Sequence, residues 1–411
     1  MNPKCRGDNF VASFGRSFIM ALLPAALALR PSWEPTYAMN RSTYTGYVDL
    51  NYTGITNSTL ARAATRHGLV TISWMTDICN NARIPLPTTP ENACLYSHTD
   101  DSLREQTRLL KSLRPSTRVL VYRNCALALS IYGEQCAKMY DPSYSSWWLR
   151  ENDTSTHPIL DGSIDPTKLT FHLATCARHP NTTHLMHQYL LDFRNVEAQQ
   201  WLLDDLKGLL EGSGSNAGAD GIWLDDTHAF NEHHDEEIGY SAAAIAAIEA
   251  GLQHAAHNAQ QQLAAEGKWV YHYDNNVFIP LVTRNPAACM SALMQGNRSN
   301  HMFQTMQMQQ FLPEEQTGQA PTTAHDFQQN LAAFLLVRGD YSYFGAVLGP
   351  VGGSDAYVVG GVSYFAPEFD YDYGVPVDVM QETTKGVYAR EWSRVTVSLD
   401  CNRFESNFKW K

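Results

Sequence analysis

The stretch that decides the fold is Asp220-Gly221-Ile222-Trp223-Leu224-Asp225-Asp226, a short apolar run that ends in two adjacent carboxylates. A run this rich in β-forming residues is typical of a buried parallel strand. In barrel enzymes, the side chains that carry the chemistry lie at the carboxyl ends of such strands. Because side chains alternate along a strand, we expect Asp225 to share the inner side with Trp223, and Asp226 to point away toward the following loop.

Two further strand-like runs end in an acid: Asp192 lies in the run at 187–193, and Asp274, followed by Asn275, closes the run at 269–274. Glycoside cleavage requires one carboxylate that acts as nucleophile or base and one carboxyl group that donates a proton. The pattern therefore predicts Asp225 in the first role and Asp192 or Asp274 in the second. Strand-end acids also form turns and caps, so a structural role for Asp192, paired with Arg194, is the alternative.

Strand-like runs alternate with helical periodicity over most of the chain. Strands are predicted at 46–52, 69–75, 118–123, 188–193, 221–225, 269–274, 290–295 and 341–346. This alternation implies a parallel sheet, and eight strands allow it to close, so we predict an α/β fold of the (β/α)8 TIM-barrel type. An open doubly wound sheet is the alternative. The predicted domains are a signal peptide at 1–28, the barrel at 29–349 and a small C-terminal β appendage at 350–411, packed on the barrel.

The first thirty residues have the layout of a secretory signal peptide, with basic residues followed by an apolar run at 18–29 that is too short to span a bilayer. Six Asn-x-Ser/Thr sequons agree with a eukaryotic secretory pathway: Asn40, Asn51, Asn57, Asn152, Asn181 and Asn297. We expect a glycoprotein that is secreted or resides in the lumen of the secretory pathway or vacuole. The mature chain should contain no membrane span.

Of the eight cysteines, Cys5 would leave with the signal peptide. The local pairs Cys79 with Cys94 and Cys125 with Cys136 are expected to form disulfides, which suits an oxidising compartment. The net charge is -12, and no basic stripe stands out along the chain, so nucleic acid is excluded as a partner. The Gly-rich segment at 349–354 lacks the Lys-Ser/Thr of a phosphate-binding loop, and no cofactor is expected.

Histidines follow the double Asp at positions 228, 233 and 234. Histidine and carboxylate clusters can bind zinc, so a metal-dependent, deacetylase-like hydrolase using Asp226, His228 and His233 is one alternative function. The spacing of these histidines fits no helical zinc-binding pattern, and we predict no metal site.

The succession Leu191-Asp192-Phe193-Arg194-Asn195-Val196-Glu197-x-x-x-Trp201, followed by a helix and by Gly218-Ala219 and the decisive strand, resembles glycoside-hydrolase-like (β/α)8 barrels. It is similar to the dextranase and endo-α-1,4-polygalactosaminidase families, with a looser likeness at 119–124, 371–376 and 387–391. In the dextranase family the acid that closes this strand is the nucleophile, which implies that role for Asp225. Where the family has a Glu as general acid on a later strand, this chain has Gln295.

Aromatic, amide and charged side chains at the predicted strand ends form the predicted sugar-binding set: Trp223, Asp226, Tyr122, Arg123, Asn124, His272, Asn275 and Gln295. The leading interpretation is a secreted glycoside hydrolase that cleaves O-glycosidic bonds of a polysaccharide or oligosaccharide with paired carboxylates. A carbohydrate-binding barrel without catalysis is the first alternative function, ahead of the metal-dependent hydrolase, because a glutamine at position 295 binds sugar but donates no proton to a leaving group.

Overall fold

A computed structural model describes residues 30–48, 50, 57–74, 99–150, 170–171, 184–185, 188–211, 218–227, 240–272, 277–307, 324–347, 362 and 365–411. In chain order the strands are β1 Thr43–Val48, β2 Leu69–Ile72, β3 Arg118–Asn124, β4 Leu127–Leu129, β5 Thr170–Phe171, β6 His184–Leu185, β7 Gln188–Leu190, β8 Gly221–Asp225, β9 Trp269–His272, β10 Val277–Phe278, β11 Gln304–Gln307, β12 Ser342–Val347, β13 Gln381–Thr384, β14 Val387–Glu391, β15 Val395–Asp400 and β16 Glu405–Trp410. The helices are α1 Ser58–Ala64, α2 Thr99–Leu113, α3 Gly133–Tyr140, α4 Val196–Leu210, α5 Ala242–Ala265, α6 Pro286–Arg298 and α7 Ala324–Val337, with short 3-10 turns at Met39–Arg41, Pro142–Trp147 and Pro367–Asp370.

The main sheet is parallel throughout and has the strand order β10-β11-β12-β1-β2-β3-β8-β9. β9 and β10, the two strands at the ends of this order, are separated by only four residues in the sequence. Counted as one strand, they give a sheet of seven parallel strands. The sheet is curled, and the curl brings β9 close to β11. The Trp269 ring on β9 stacks on the Phe303 ring beside β11, with ring centroids 5.3 Å apart. The hydroxyls of Tyr271 and Thr305, also on β9 and β11, form a hydrogen bond of 3.1 Å.

Two predicted strands are wrong, and the eightfold repeat of the prediction is therefore not observed among the described residues. Residues 290–295 lie inside α6, which begins after Asn285, whose side chain accepts a hydrogen bond from the Ala288 amide at 3.1 Å. Its buried positions, Cys289, Ala292, Leu293 and Gly296, follow helical spacing, and the strand of this region is β11. The predicted strand at 188–193 is also misplaced, since β7 pairs antiparallel with β4 outside the main sheet.

The two faces of the main sheet bury different kinds of side chain. One face carries mainly aromatic rings, which form a cluster with Trp33: Tyr44, Trp269, Tyr271, Phe303, Tyr341 and Tyr343. The other face carries β-branched and aliphatic residues that pack against the helices, among them Val70, Val119, Val121, Ile222 and Val270. Strand alternation produces this division, and it identifies the aromatic side as the interior of the curled sheet.

The C-terminal residues form a four-stranded antiparallel sheet in the order β13-β14-β15-β16. This sheet shares a buried apolar cluster with α7. Arg390 on β14 donates hydrogen bonds to the carbonyl oxygens of Leu336 at 3.3 Å and Arg338 at 2.6 Å, which caps the carboxyl end of α7. A disulfide between Cys289 on α6 and Cys401 closes a loop across a sequence separation of 112 residues.

The predicted pairing of Cys125 with Cys136 is wrong. Cys136 is disulfide-bonded, whereas Cys125 keeps its thiol and is buried directly after β3. The backbone amide of Cys125 donates to the Asp225 carbonyl oxygen at 2.9 Å, so this residue continues the sheet rather than reaching α3. Cys79 and Cys94 lie outside the described residues. In the described ranges, no helix has both the length and the apolar character that a membrane span requires.

Candidate functional site

Asp225 lies at the carboxyl end of β8, on the interior side of the curled sheet. Its Oδ2 accepts a hydrogen bond of 2.7 Å from the Tyr122 hydroxyl of β3. The parallel register places Tyr122 opposite Trp223 and Asn124 opposite Asp225, so the two strands contribute to the same rim. Asp225 and Trp223 are both half-buried. Gly221, at the start of β8, permits the close approach of β9, because a Cβ there would collide with the Trp269 carbonyl of β9.

Asp226 is held by a side chain of the neighbouring strand β3. Its backbone has φ 52°, in the left-handed region that non-glycine residues seldom adopt. The carboxylate turns back to β3, where Asn124 Nδ2 donates to Asp226 Oδ2 at 2.5 Å. Asn124 is thus a partner of Asp226 that the sequence did not predict, and the predicted contact with the following loop lies outside the described residues. Residues with strained backbone persist where their surroundings hold them, and they cluster at functional sites.

The Asn124 amide has a fixed orientation, because its Oδ1 accepts hydrogen bonds from the amides of Ala126 at 2.9 Å and Leu127 at 2.8 Å. Its Nδ2 therefore faces Asp226 and lies 3.4 Å from the Tyr122 hydroxyl oxygen. Since this oxygen accepts from Asn124, the Tyr122 proton is directed to Asp225. A chain of hydrogen bonds thus joins the two carboxylates through Asn124 and Tyr122.

Aromatic rings from four successive positions in the sheet line the interior beside Asp225. Tyr122 lies 6.4 Å from Trp74, which follows β2, and 5.7 Å from Trp223 on β8. Trp223 lies 6.1 Å from Tyr271 on β9. Trp74 and Tyr271 were not predicted as site residues, although Tyr271 stands opposite Trp223 in the parallel register and a register argument would have found it.

Arg123 is not brought to this group of residues, since it lies on the opposite face of β3. Its guanidinium forms ion pairs with Asp205 at 2.8 Å and Asp100 at 2.7 Å, and it lies 3.8 Å above the Tyr132 ring. Burial by itself would lower the pKa of Arg123, but the charges of Asp100 and Asp205 outweigh burial and raise it above its ordinary value. Arg123 therefore holds β3 against α2 and α4, and it is unavailable to a sugar.

His272 and Gln295 are also separated from Asp225. His272 faces α5, where its Nε2 lies 3.3 Å from Gln260 Oε1, and burial lowers its pKa to about 4. Gln295 is exposed on α6, so it does not occupy the position of a strand-end acid. We expected Gln295 to stand where the resembled families have their general acid. Its position on α6 shows that this expectation is wrong.

Asp192 follows the short sheet formed by β4 and β7, outside the main sheet. It forms an ion pair of 2.7 Å with Arg194, whose guanidinium lies 4.9 Å from the Tyr240 ring. Asn195, the residue after Arg194, caps α4, because its Oδ1 accepts a hydrogen bond from the Glu197 amide at 2.9 Å. These contacts match the structural alternative for Asp192. Asp274 and Asn275 lie outside the described residues, as do His228 and His233.

Five of the predicted residues thus meet at one rim: Tyr122, Asn124, Trp223, Asp225 and Asp226. The arrangement supplies two carboxylates, a hydroxyl donor and an apolar ring, which are the components of a site for a polar ligand with apolar faces. Within the part of the chain that the structure describes, no cluster of three or more His, Cys, Asp or Glu side chains is placed to hold a metal ion.

Comparison with family models finds no match, and comparison with curated proteins finds none. Among solved structures, the chain is similar to the glycoside hydrolase domain of PelA from Pseudomonas aeruginosa, with a TM-score of 0.33, 12% identity and coverage of 80% of this chain and 97% of that chain. It is also similar to a xylosidase from Aspergillus niger, with a TM-score of 0.41, 11% identity and coverage of 76% of this chain and 45% of that chain. At these scores, neither structure assigns a substrate to this chain.

Proposed function

We propose that this chain is a glycoside hydrolase in which Asp225 is the nucleophile or base. The observation that carries the proposal is the Asp225 carboxylate at the carboxyl end of β8, hydrogen-bonded by Tyr122 at 2.7 Å and adjacent on the same side to Trp223. A carboxylate supplies the negative charge that an oxocarbenium-like transition state requires. The exposed part of the Trp223 ring offers an apolar surface to the C–H face of a sugar.

Tyr122 orients the reacting group in this proposal. By donating its proton to Oδ2 of Asp225, the hydroxyl fixes the rotation of the carboxylate, so that the other oxygen points in one direction. A fixed carboxylate makes the approach to the anomeric carbon reproducible, which is a large part of catalysis by positioning. Asn124 acts through Tyr122 and is a positioning residue.

The proton donor that we propose is Asp274. It comes two residues after the end of β9 in the sequence, and β9 lies next to β8 in the sheet, which is the reason for this proposal. Asp192 is less suited to this role, because its carboxylate is paired with Arg194 and follows the small β4–β7 sheet, outside the main sheet. A separation of about 5 Å between the two acids would give retention of configuration, and about 6.5 to 9.5 Å would give inversion.

The alternative of a carbohydrate-binding barrel without catalysis was based on a glutamine in place of an acid. That observation does not hold, since Gln295 lies on α6 and replaces no acid. The substrate class of polysaccharides or oligosaccharides stays part of the proposal, as does secretion as a glycoprotein. The disulfide between Cys289 and Cys401 supports the latter, because such bonds persist in oxidising compartments.

A polysaccharide activity screen tests the function, with Asp225→Asn as the informative variant. Asp204→Asn is the matched control, since Asp204 is exposed on α4. We expect wild type and Asp204→Asn to release reducing sugar from at least one glycan, and Asp225→Asn to release none while its melting temperature is unchanged or raised. Full activity in Asp225→Asn, or a large loss of its stability, would contradict the assignment. Stoichiometric zinc together with activity that a chelator abolishes would instead identify the metal-dependent hydrolase.

A further inference from the structure

The strand β16 is an outer strand of the C-terminal sheet. It pairs with β15 over six successive positions, from Val395 opposite Trp410 to Asp400 opposite Glu405, without a register shift. On its other side, no strand of the described chain pairs with it. It contains no proline, and its side chains are exposed or half-buried. An unbroken edge of this kind is a template for a further strand.

The opposite edge of this sheet, β13, is protected in two ways that β16 lacks. Its pairing with β14 contains a register shift between Glu382 and Thr384. The chain before β13 also runs alongside β14, since the Val377 amide donates to the Glu391 carbonyl oxygen at 2.9 Å, and this part contains Pro376. Bulges and prolines are means by which native sheets prevent pairing at an edge. The sheet therefore leaves β16 as its open edge.

The backbone groups that face outward from β16 belong to Ser406, Phe408 and Trp410. The Lys411 amide donates to the Arg394 carbonyl oxygen at 3.0 Å, and these two residues lie opposite each other when the register is continued by one residue. In an antiparallel ladder, pairs that exchange hydrogen bonds alternate with pairs that exchange none. Lys411 and every second residue before it thus bond to β15. The residues between them point their N–H and C=O groups to the open edge.

One face of β16 carries an acid near one end and a base near the other. Glu405 and Lys409 share this face, since they are four residues apart in a strand. Glu405 lies opposite Asp400 of β15, which pairs two like charges, whereas Lys409 lies opposite the uncharged Thr396. Arg403 lies 3.8 Å from Asp400, but Glu405 and Lys409 have no ion-pair partner within the described ranges. The edge therefore suits a strand that brings a cation to Glu405 and an acid to Lys409.

We propose that β16 pairs antiparallel with β16 of a second copy of this chain, about a two-fold axis at Asn407. In this register Glu405 lies opposite Lys409 of the second copy, and the axis repeats this pair of opposite charges. Ser406 lies opposite Phe408 of the second copy, and the backbone groups of both face the open edge, so the ladder continues across the contact. An isologous contact of this kind closes on itself and forms a dimer.

Other axes satisfy these conditions less well. An axis at Phe408 would place Glu405 opposite Lys411, whose ammonium group already pairs with Glu391. An axis between two residues would set groups that face the open edge against groups that face β15, and no ladder would form. The charge pattern and the hydrogen-bonding pattern therefore agree on the axis at Asn407.

The same register brings a second copy to the exposed ring of Trp410. This ring is 48% exposed and lies on the same face of β16 as Phe408. In the paired sheets, Ser406 of the second copy lies diagonally across from Trp410, a separation that an aromatic side chain spans. The ring therefore loses exposed apolar surface when the two edges pair, which stabilises the dimer.

Sedimentation velocity of the full chain tests the dimer through its charges. We expect Glu405→Lys and Lys409→Glu each to weaken dimerisation by about tenfold or more, because each change sets like charges opposite each other. The double variant should dimerise as wild type does. An equimolar mixture of the two single variants should dimerise as well, since each variant then meets its opposite. Lys385→Glu is the matched control for net charge, because Lys385 is exposed directly after β13, and it should behave as wild type.

A wild type that stays monomeric at its highest soluble concentration overturns the inference. A dimer that both single variants leave intact does so too, since the contact would then lie elsewhere on the chain. If a single variant melts at a lower temperature than wild type, the double variant decides the result. A monomeric double variant with the melting temperature of wild type would show that the two charges do not face each other. No glycan enters this experiment, so its outcome is independent of the proposed hydrolase.

Discussion

Asn124 donates a hydrogen bond to Asp226 at 2.5 Å across the carboxyl ends of β3 and β8. The same side chain accepts from two backbone amides of its own strand end, so it ties the turn after β3 to the turn after β8. One buried amide thereby holds Asp226 at φ 52° and directs the Tyr122 hydroxyl. The geometry at Asp225 therefore depends on the Asn124 side chain, which acts through the Tyr122 hydroxyl.

Asn124→Ala should lower the free energy of unfolding by about 2 to 3 kcal/mol, because the substitution leaves two amide groups and a carboxylate without their partner. Urea denaturation of wild type and variant gives this difference. Asn258→Ala on α5 is the control, and it should change stability by less than about 0.5 kcal/mol. If Asn124→Ala lowers the free energy of unfolding no more than this small control effect, the Asn124 network contributes no stability.

Tyr122→Phe should reduce kcat by about tenfold or more, with KM and melting temperature nearly unchanged. The variant keeps the ring contacts with Trp74 and Trp223 and loses the hydroxyl that donates to Asp225 and accepts from Asn124. A hydrogen bond to a charged group contributes about 1.5 to 3 kcal/mol. Steady-state kinetics on the glycan found in the screen measure the effect. A rise in KM alone would mean that Tyr122 binds the sugar instead of orienting Asp225.

Arg123→Ala should cost about 3 to 5 kcal/mol of stability, because it leaves the carboxylates of Asp205 and Asp100 buried without a counter-ion. Arg403→Ala is the matched control, since the Arg403 pair with Asp400 is at the surface and its Arg side chain is 76% exposed. That pair should be worth less than about 1 kcal/mol. Chemical denaturation of both variants compares them, and a small loss in Arg123→Ala would contradict the structural role of Arg123.

His272 should make the fold less stable in acid. Because its folded pKa is about 4, below the ordinary value of 6.5, the unfolded chain binds a proton that the folded chain rejects. Stability from this residue is full above pH 6.5, falls as the pH drops toward 4 and is lost below it, a total of about 3 kcal/mol. His272→Gln should flatten this part of the stability profile measured by urea denaturation between pH 4 and 7. An unchanged slope would show that another group causes the acid sensitivity.

The sequence predicts the decisive strand well and the remote contacts poorly. The apolar run before Asp225 identifies β8, and alternation places Trp223 and Asp225 on one side, because both depend only on neighbouring residues. The same alternation separates Arg123 from Tyr122 and Asn124, and applying it there would have moved Arg123 to the outer face. The residues at 290–295 fit a strand and a helix equally well, and only packing of α6 against α7 decides between them.

Two side-chain contacts leave no local signal in the sequence. Arg123 contacts Asp205, 82 positions away, and Asp226 contacts Asn124, 102 positions away. Side-chain contacts over such separations follow from the fold and do not show in composition or periodicity. The same holds for Cys289 and Cys401, a pair that spacing alone did not suggest.

The parallel pairing of β1 with β12 joins Thr43 to Phe344, and this has a consequence during synthesis. A ribosome that adds about 5 to 20 residues per second needs on the order of 15 to 60 s to make the roughly 300 residues between them. Throughout that time, one edge of β1 has no strand beside it, and the nascent sheet is exposed to neighbouring chains. The protein therefore completes its sheet only after nearly all of the chain has been translated, so its folding in the cell depends on protection of that early edge.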